Sequence, residues 1–176
     1  VRPGQEVGIV LQIAMVNWRM RHKTDAAEPY FERLRKHEPA HPGMLDFFRE
    51  WCLHKGEQTR LVQILTDAQR AMPDGPERAK LAGEIAQLAE EGANAQKAIE
   101  QWRTLLRSQP NNTEAREALK RLYRTSGSFN HLADLLRSEL ERVSPDDAAT
   151  RLLVLREIAQ IYRENIKSDS ALVTVL

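Results

Sequence analysis

Apolar residues return every three or four positions along most of this chain, and short polar stretches rich in Pro, Gly, Asp and Asn interrupt them. Leu152, Leu155, Ala159, Tyr162 and Ile166 have the spacing of one helix face, and Val154, Ile158 and Ile161 add a second stripe. A helix apolar on two sides is suited to touch both its own partner and the next pair of helices. The pattern predicts about ten helices, near 5–21, 25–37, 42–55, 58–71, 76–91, 94–108, 112–125, 129–143, 145–165 and 168–176, and no strand. The punctuation agrees. Ser144-Pro145-Asp146-Asp147 offers an N-cap, a first-turn Pro and an acidic third residue, and Asp74 with Glu77 can do the same. Gly56, Gly92 and Gly127 fall where helix ends call for a left-handed residue.

The helices repeat with a period of about 72 residues. Ile13-Ala14 returns as Ile85-Ala86 and as Ile158-Ala159, and alanines 26, 98 and 171 keep step. Pro39, Gly56, Leu61 and Leu65 return as Pro110, Gly127, Leu132 and Leu136. Each period holds two hairpins, so the unit is about 34–36 residues long.

In that unit the sequence resembles the tetratricopeptide repeat (TPR) family. Ala82, Ile85, Ala86 and Ala89, then Ala98, Trp102, Leu105, Leu106 and Pro110, match its spacing. Val10, Ile13, Ala14 and Asn17 with Ala26 and Tyr30 match at the start, and Ala171 and Val175 close the last unit. The resemblance implies an all-α, right-handed superhelical α-solenoid of antiparallel hairpins. It forms a single domain over 1–176, with units near 7–40, 42–75, 79–112, 113–146 and an incomplete 152–176. Arg49 and Lys120 depart from it, standing where the family has a small residue. The uncapped apolar end VTVL suggests a piece of a longer array.

The resemblance also implies a concave groove lined by the first helix of each unit. Carried over residue by residue, it places Met15 and Trp18 in that groove from the first unit, Glu50 from the second and Gln87 from the third. Arg121 and Arg124 come from the fourth, and Arg156, Gln160 and Arg163 from the fifth. The four arginines could hold an acidic peptide through charge-assisted hydrogen bonds, and Trp18 could serve as an aromatic anchor. Packing on a neighbouring unit is the alternative for Trp18, and pairing with Glu117 and Glu164 the alternative for the arginines. No Asn occupies a groove position, so the carboxylate clamp of chaperone-binding members is not recognisable. Trp51 and Trp102 read as core.

Composition narrows the function further. The 26 basic and 25 acidic residues leave a net charge of +1, which gives little global attraction for nucleic acid. Cys52 is the single cysteine; it reads as a small buried hydrophobe and suits a reducing compartment such as the cytoplasm. The run VGIVLQIAMV at 7–16 is too short to cross a hydrocarbon core of about 30 Å, so no membrane insertion is expected. His37-Glu38-Pro39-Ala40-His41 fits the H-E-x-x-H zinc motif in letters. That motif needs both histidines on one helix face, and Pro39 breaks any helix between them, so the segment reads as a loop. No phosphate loop or nucleophile elbow occurs. The sequence thus predicts a non-catalytic scaffold for a protein or peptide partner, without cofactor or metal. Its alternatives are an RNA-binding helical repeat and a non-catalytic fragment of a larger enzyme.

Overall fold

The computed structural model describes residues 3–166, with side chains from Val7 onward. Among the described residues the chain is helical with no strand. It divides into two compact units, Val1–Ser108 and Gln109–Leu176. The first holds three hairpins: α1 (Pro3–Met15) with α2 (Thr24–Arg35), α3 (Pro42–Lys55) with α4 (Gln58–Ala71), and α5 (Pro76–Glu91) with α6 (Ala95–Ser108). The second holds the hairpin of α7 (Thr113–Thr125) and α8 (Phe129–Leu140), followed by α9 (Ala148–Ile161). Single π-helical turns extend α1 over Val16–Met20 and α9 over Tyr162–Ile166. The expected helix 168–176, with Ala171 and Val175, lies outside the described residues.

Local chemistry sets most boundaries. Pro42 opens α3, and the His41 imidazole caps it by accepting the Met44 N–H at 3.4 Å. HEPAH is therefore the loop its proline predicts, with one histidine spent on a helix end. Gly56 and Gly127 end α3 and α7 at φ 70° and 69°, a region that a side chain would strain. Three expectations need correction. Gly92 has φ −79°, and Ala93 takes the left-handed place at φ 54°. The cap of α9 is Asp147, whose carboxylate accepts the Thr150 N–H at 3.0 Å, while Ser144–Asp147 closes as a turn around Pro145. An anionic cap is favoured there by the helix dipole. Finally, Gly75 precedes Pro76 at the start of α5, and Asp74 instead binds Arg78 at 2.5 Å.

The first π turn has consequences for the repeat register. The Arg21 N–H reaches back five residues to the Val16 carbonyl at 3.0 Å, which accommodates one extra residue in the turn. Beyond it the offset to the third unit falls from 72 to 71. Ala27 and Phe31, both fully buried, therefore fill the core in place of Ala26 and Tyr30, which are exposed. Trp18 moves into register with Ala89 and is buried at 3% exposure.

Around that tryptophan sits an aromatic core. Phe31 of α2 stacks on Phe47 of α3 with centroids 4.3 Å apart, and Trp18 meets both edge-on at 5.8 and 5.5 Å. Phe48 and Trp51 continue the cluster along α3. Cys52 beside them is fully buried, as the sequence predicts. Edge-to-face and offset pairs of this kind add about 0.5–1.5 kcal/mol each to the burial itself. In the expected double stripe of α9, Val154, Ile158 and Ile161 are buried, whereas Leu152 stays exposed.

Polar contacts between hairpins recur at a nearly constant spacing, a little shorter than the repeat unit. Trp18 Nε1–H donates to Glu50 at 3.1 Å, Arg35 reaches Asp67 at 3.2 Å, Gln58 reaches Glu91 at 2.7 Å, and buried Gln69 donates to Gln101 at 2.7 Å. Each pair is 32 or 33 residues apart, so equivalent turns of successive hairpins face one another.

The two departures from the family pattern are likewise paired, each with carboxylates. Arg49 forks onto Glu84 of α5 at 2.6 and 2.7 Å. Lys120, 8% exposed, lies 2.7 Å from Glu139 of α8 and 3.0 Å from Glu117. Burial opposes the charge of Lys120, but the two carboxylates outweigh it and raise its pKa above the usual lysine value.

Two outcomes follow. Glu139→Gln should lower stability by about 1–3 kcal/mol in urea melts, because it leaves a buried ammonium with only the exposed Glu117 carboxylate; Lys120→Met should stay within about 1 kcal/mol of wild type. The Lys120 contribution is complete below the unfolded lysine pKa and is lost as pH rises through the raised folded value, so the Glu139→Gln difference should shrink in strong alkali. Cys52, whose thiol burial pushes up to about 11, should resist a disulfide reagent at neutral pH in the native protein and react once urea unfolds the chain.

Candidate protein-interaction surfaces

In the first unit, a cleft of about 370 Å³ opens where the π turn meets the C-terminal half of α3. Trp18, Glu50, Trp51, His54 and Lys55 line it, with His22 and Thr24 at its edge. The indole N–H groups anchor its floor: Trp18 donates to Glu50, and Trp51 donates to Asp25 at 3.1 Å. Asp25 also holds Lys55 at 2.9 Å. The hydrogen bond from Lys55, followed by that from Trp51, keeps the Asp25 carboxyl below its ordinary pKa. His22 stands at φ 52°, left-handed backbone that a side chain rarely adopts.

The sequence brought Trp18 and Glu50 to one groove, and the structure joins them by a hydrogen bond. Trp18 is nevertheless no free anchor. The π turn rotates it into the core, leaving only its edge to the cleft. Met15 is half-buried against the same core. Gln87, on α5, is exposed. Trp102 is core, as expected, and donates its N–H to Glu90 at 2.6 Å.

In the second unit, α7 presents Arg121 and Arg124, and α9 with its π turn presents Arg156, Gln160 and Arg163; all five are exposed. Arg124 bridges the two helices by an ion pair with Glu157. Gln160 donates to Glu164 at 3.2 Å. Glu117 lies 3.0 Å from Lys120.

Sequence reasoning missed two features of these surfaces. His22 and Thr24 enter the cleft because the extra residue of the π turn swings the α1–α2 connection toward α3, and no pattern in VNWRM announces that turn. Arg60 was also missed. It lies over Trp51 at 4.8 Å, and Glu28, Glu32 and Glu57 surround it. Burial works against its charge, but those carboxylates raise its pKa still further above the arginine range. The 32-residue spacing of Glu28 and Arg60 is the signal that could have found the pair.

No protein-family model matches the chain, and no curated protein matches it significantly. Solved structures do. The crystal structure of MamA protein aligns over 98% of this chain and 88% of its own, with a TM-score of 0.51 at 13% identity. The nearly identical TPR-like repeats of a Podosopora anserina protein assigned as a kinesin light chain align over 99% and 92%, at 16% identity and a TM-score of 0.49. The fold is thus TPR-like, an all-α repeat of helical hairpins.

Replacing His22 by Gly should raise stability by about 0.5–1 kcal/mol in thermal or urea melts, since it relieves the left-handed backbone while removing one wall of the cleft.

Proposed function

We propose that this chain is a non-catalytic scaffold that binds an acidic peptide or protein segment on the first-helix surface of its repeats. The reading rests on the second unit, where the Arg124–Glu157 bridge ties α7 to α9 and where Arg121, Arg156 and Arg163 are exposed on those helices and the π turn that extends α9. Guanidinium groups presented by two helices of one unit can fork onto carboxylates. The cleft at Trp18 and Glu50 offers a second, smaller contact of mixed charge. Its fixed indoles and the Lys55 ammonium suit a short polar side chain better than an apolar anchor. No helix among the described residues is long and apolar enough to cross a membrane.

Capture from lysate with wild type and with Arg121→Glu/Arg156→Glu tests this. The double variant should lose a set of partners, and a fluorescent oligoglutamate peptide should bind wild type at least about tenfold more tightly at low salt than the variant. Identical partner profiles would exclude the face. Tight, salt-sensitive binding of mixed RNA in a filter assay would instead favour a nucleic-acid partner.

A further inference from the structure

The outward face of α1 is apolar. Ile9, Ile13, Val16 and Met20 follow one another at helical spacing and are 54%, 38%, 41% and 75% exposed. Singly exposed aliphatic residues are ordinary, but a contiguous stripe over three turns of one helix is not. Elsewhere in the same unit the equivalent face has an occupant. Ile9, Ile13 and Val16 correspond, 72 residues on, to Leu81, Ile85 and Leu88 of α5, and those three pack into the core formed with Leu61, Ile64, Leu65 and Ala68 of α4. The molecule therefore contains a template for what such a face accepts. It is an antiparallel helix with aliphatic residues at i, i+3, i+4 and i+7.

Charge distinguishes the α1 face from its template. The C-terminal end of α5 presents Glu91 to Gln58, in the first turn of α4. The corresponding end of α1 is basic: Arg19, Arg21 and Lys23 are exposed there, and the Arg19 guanidinium is laid over the Trp18 ring at 3.5 Å. A helix running antiparallel to α1 brings its N-terminus to that end. Carboxylates in a first helical turn are favoured by the helix dipole as well as by these arginines. We infer that the outer face of α1 is a docking surface for an amphipathic helix of a partner protein, antiparallel to α1, with an α4-like aliphatic stripe and an acidic first turn. This surface is independent of the arginine face on α7 and α9.

The α4 sequence itself supplies the probe. A capped synthetic peptide of residues 57–72 carrying Gln58→Glu is titrated into the ¹⁵N-labelled chain. Amide shifts confined to residues 9–21 are expected, saturating with Kd below about 1 mM. Ile13→Glu should abolish them. Arg19→Glu should weaken binding by about fivefold or more, and a Gln58→Lys peptide should recover the loss on that variant. Both replaced side chains are exposed, and circular dichroism verifies that the variants fold. Absence of shifts on α1, or unchanged affinity for Ile13→Glu, would overturn the proposal. So would a face silent to the peptide whose Ile13→Glu variant loses concentration-dependent self-association, or loses sedimentation with phosphatidylcholine/phosphatidylserine vesicles. Those results would assign it to a second copy or to an anionic membrane.

Discussion

The contact of Phe31 with Phe47 joins the first hairpin to the second, and the first unit is arranged around it. A two-helix hairpin buries only the faces its helices turn toward each other, so its remaining apolar surface must be covered by a neighbour. Here the neighbour arrives with aromatic rings. Trp18 wedges edge-on against both phenylalanines, Phe48 and Trp51 extend the contact, and Cys52 fills the remaining space. The position of α3 against α1 and α2 follows from that packing, and with it the position of the cleft.

Polar groups then fix which turn faces which. A hydrophobic stripe tolerates sliding by a turn, but paired side chains 32 or 33 residues apart do not. Gln69 and Gln101, buried and bonded to one another, would each lose a partner if the hairpins moved. Arg49 and Lys120 follow the same principle. At positions where a small residue would let helices approach closely, this chain places a cation and supplies it with carboxylates from the neighbouring helix. Burial of Lys120 is acceptable only because Glu139 and Glu117 are there.

The function proposed for this molecule rests on surfaces left over after stacking. Two of these have definite chemistry: the arginine rows of α7 and α9, and the apolar stripe of α1 with its basic end. Each is rigid, because the opposite side of the same helix is locked into a core. Binding there, as proposed, would order few side chains beyond those already held, which favours affinity over adaptability. In the first unit, the π turn at Val16–Met20 turns Trp18 inward under Arg19, and His22 just after it lines the cleft.

Helix periodicity, Pro42, Pro76, Gly56 and Gly127 determined the all-α class, both ends of α3, the start of α5 and the end of α7, because these depend on a residue's own dihedral freedom and on neighbours within one turn. The repeat, and with it the core places of Ile85, Ala86 and Trp102, was likewise legible, since equivalent residues meet equivalent surroundings. Tertiary structure decided the rest. It inserted a residue at Val16–Met20, which exchanged Ala26 and Tyr30 for Ala27 and Phe31 and took Trp18 from the groove to the core. It chose Asp147 over Ser144 as a cap and Ala93 over Gly92 as a left-handed residue. It also left Ile13 exposed where Ile85 is buried. In each case two local solutions differ by a kcal/mol or so, and the choice falls to whichever lets distant side chains pack.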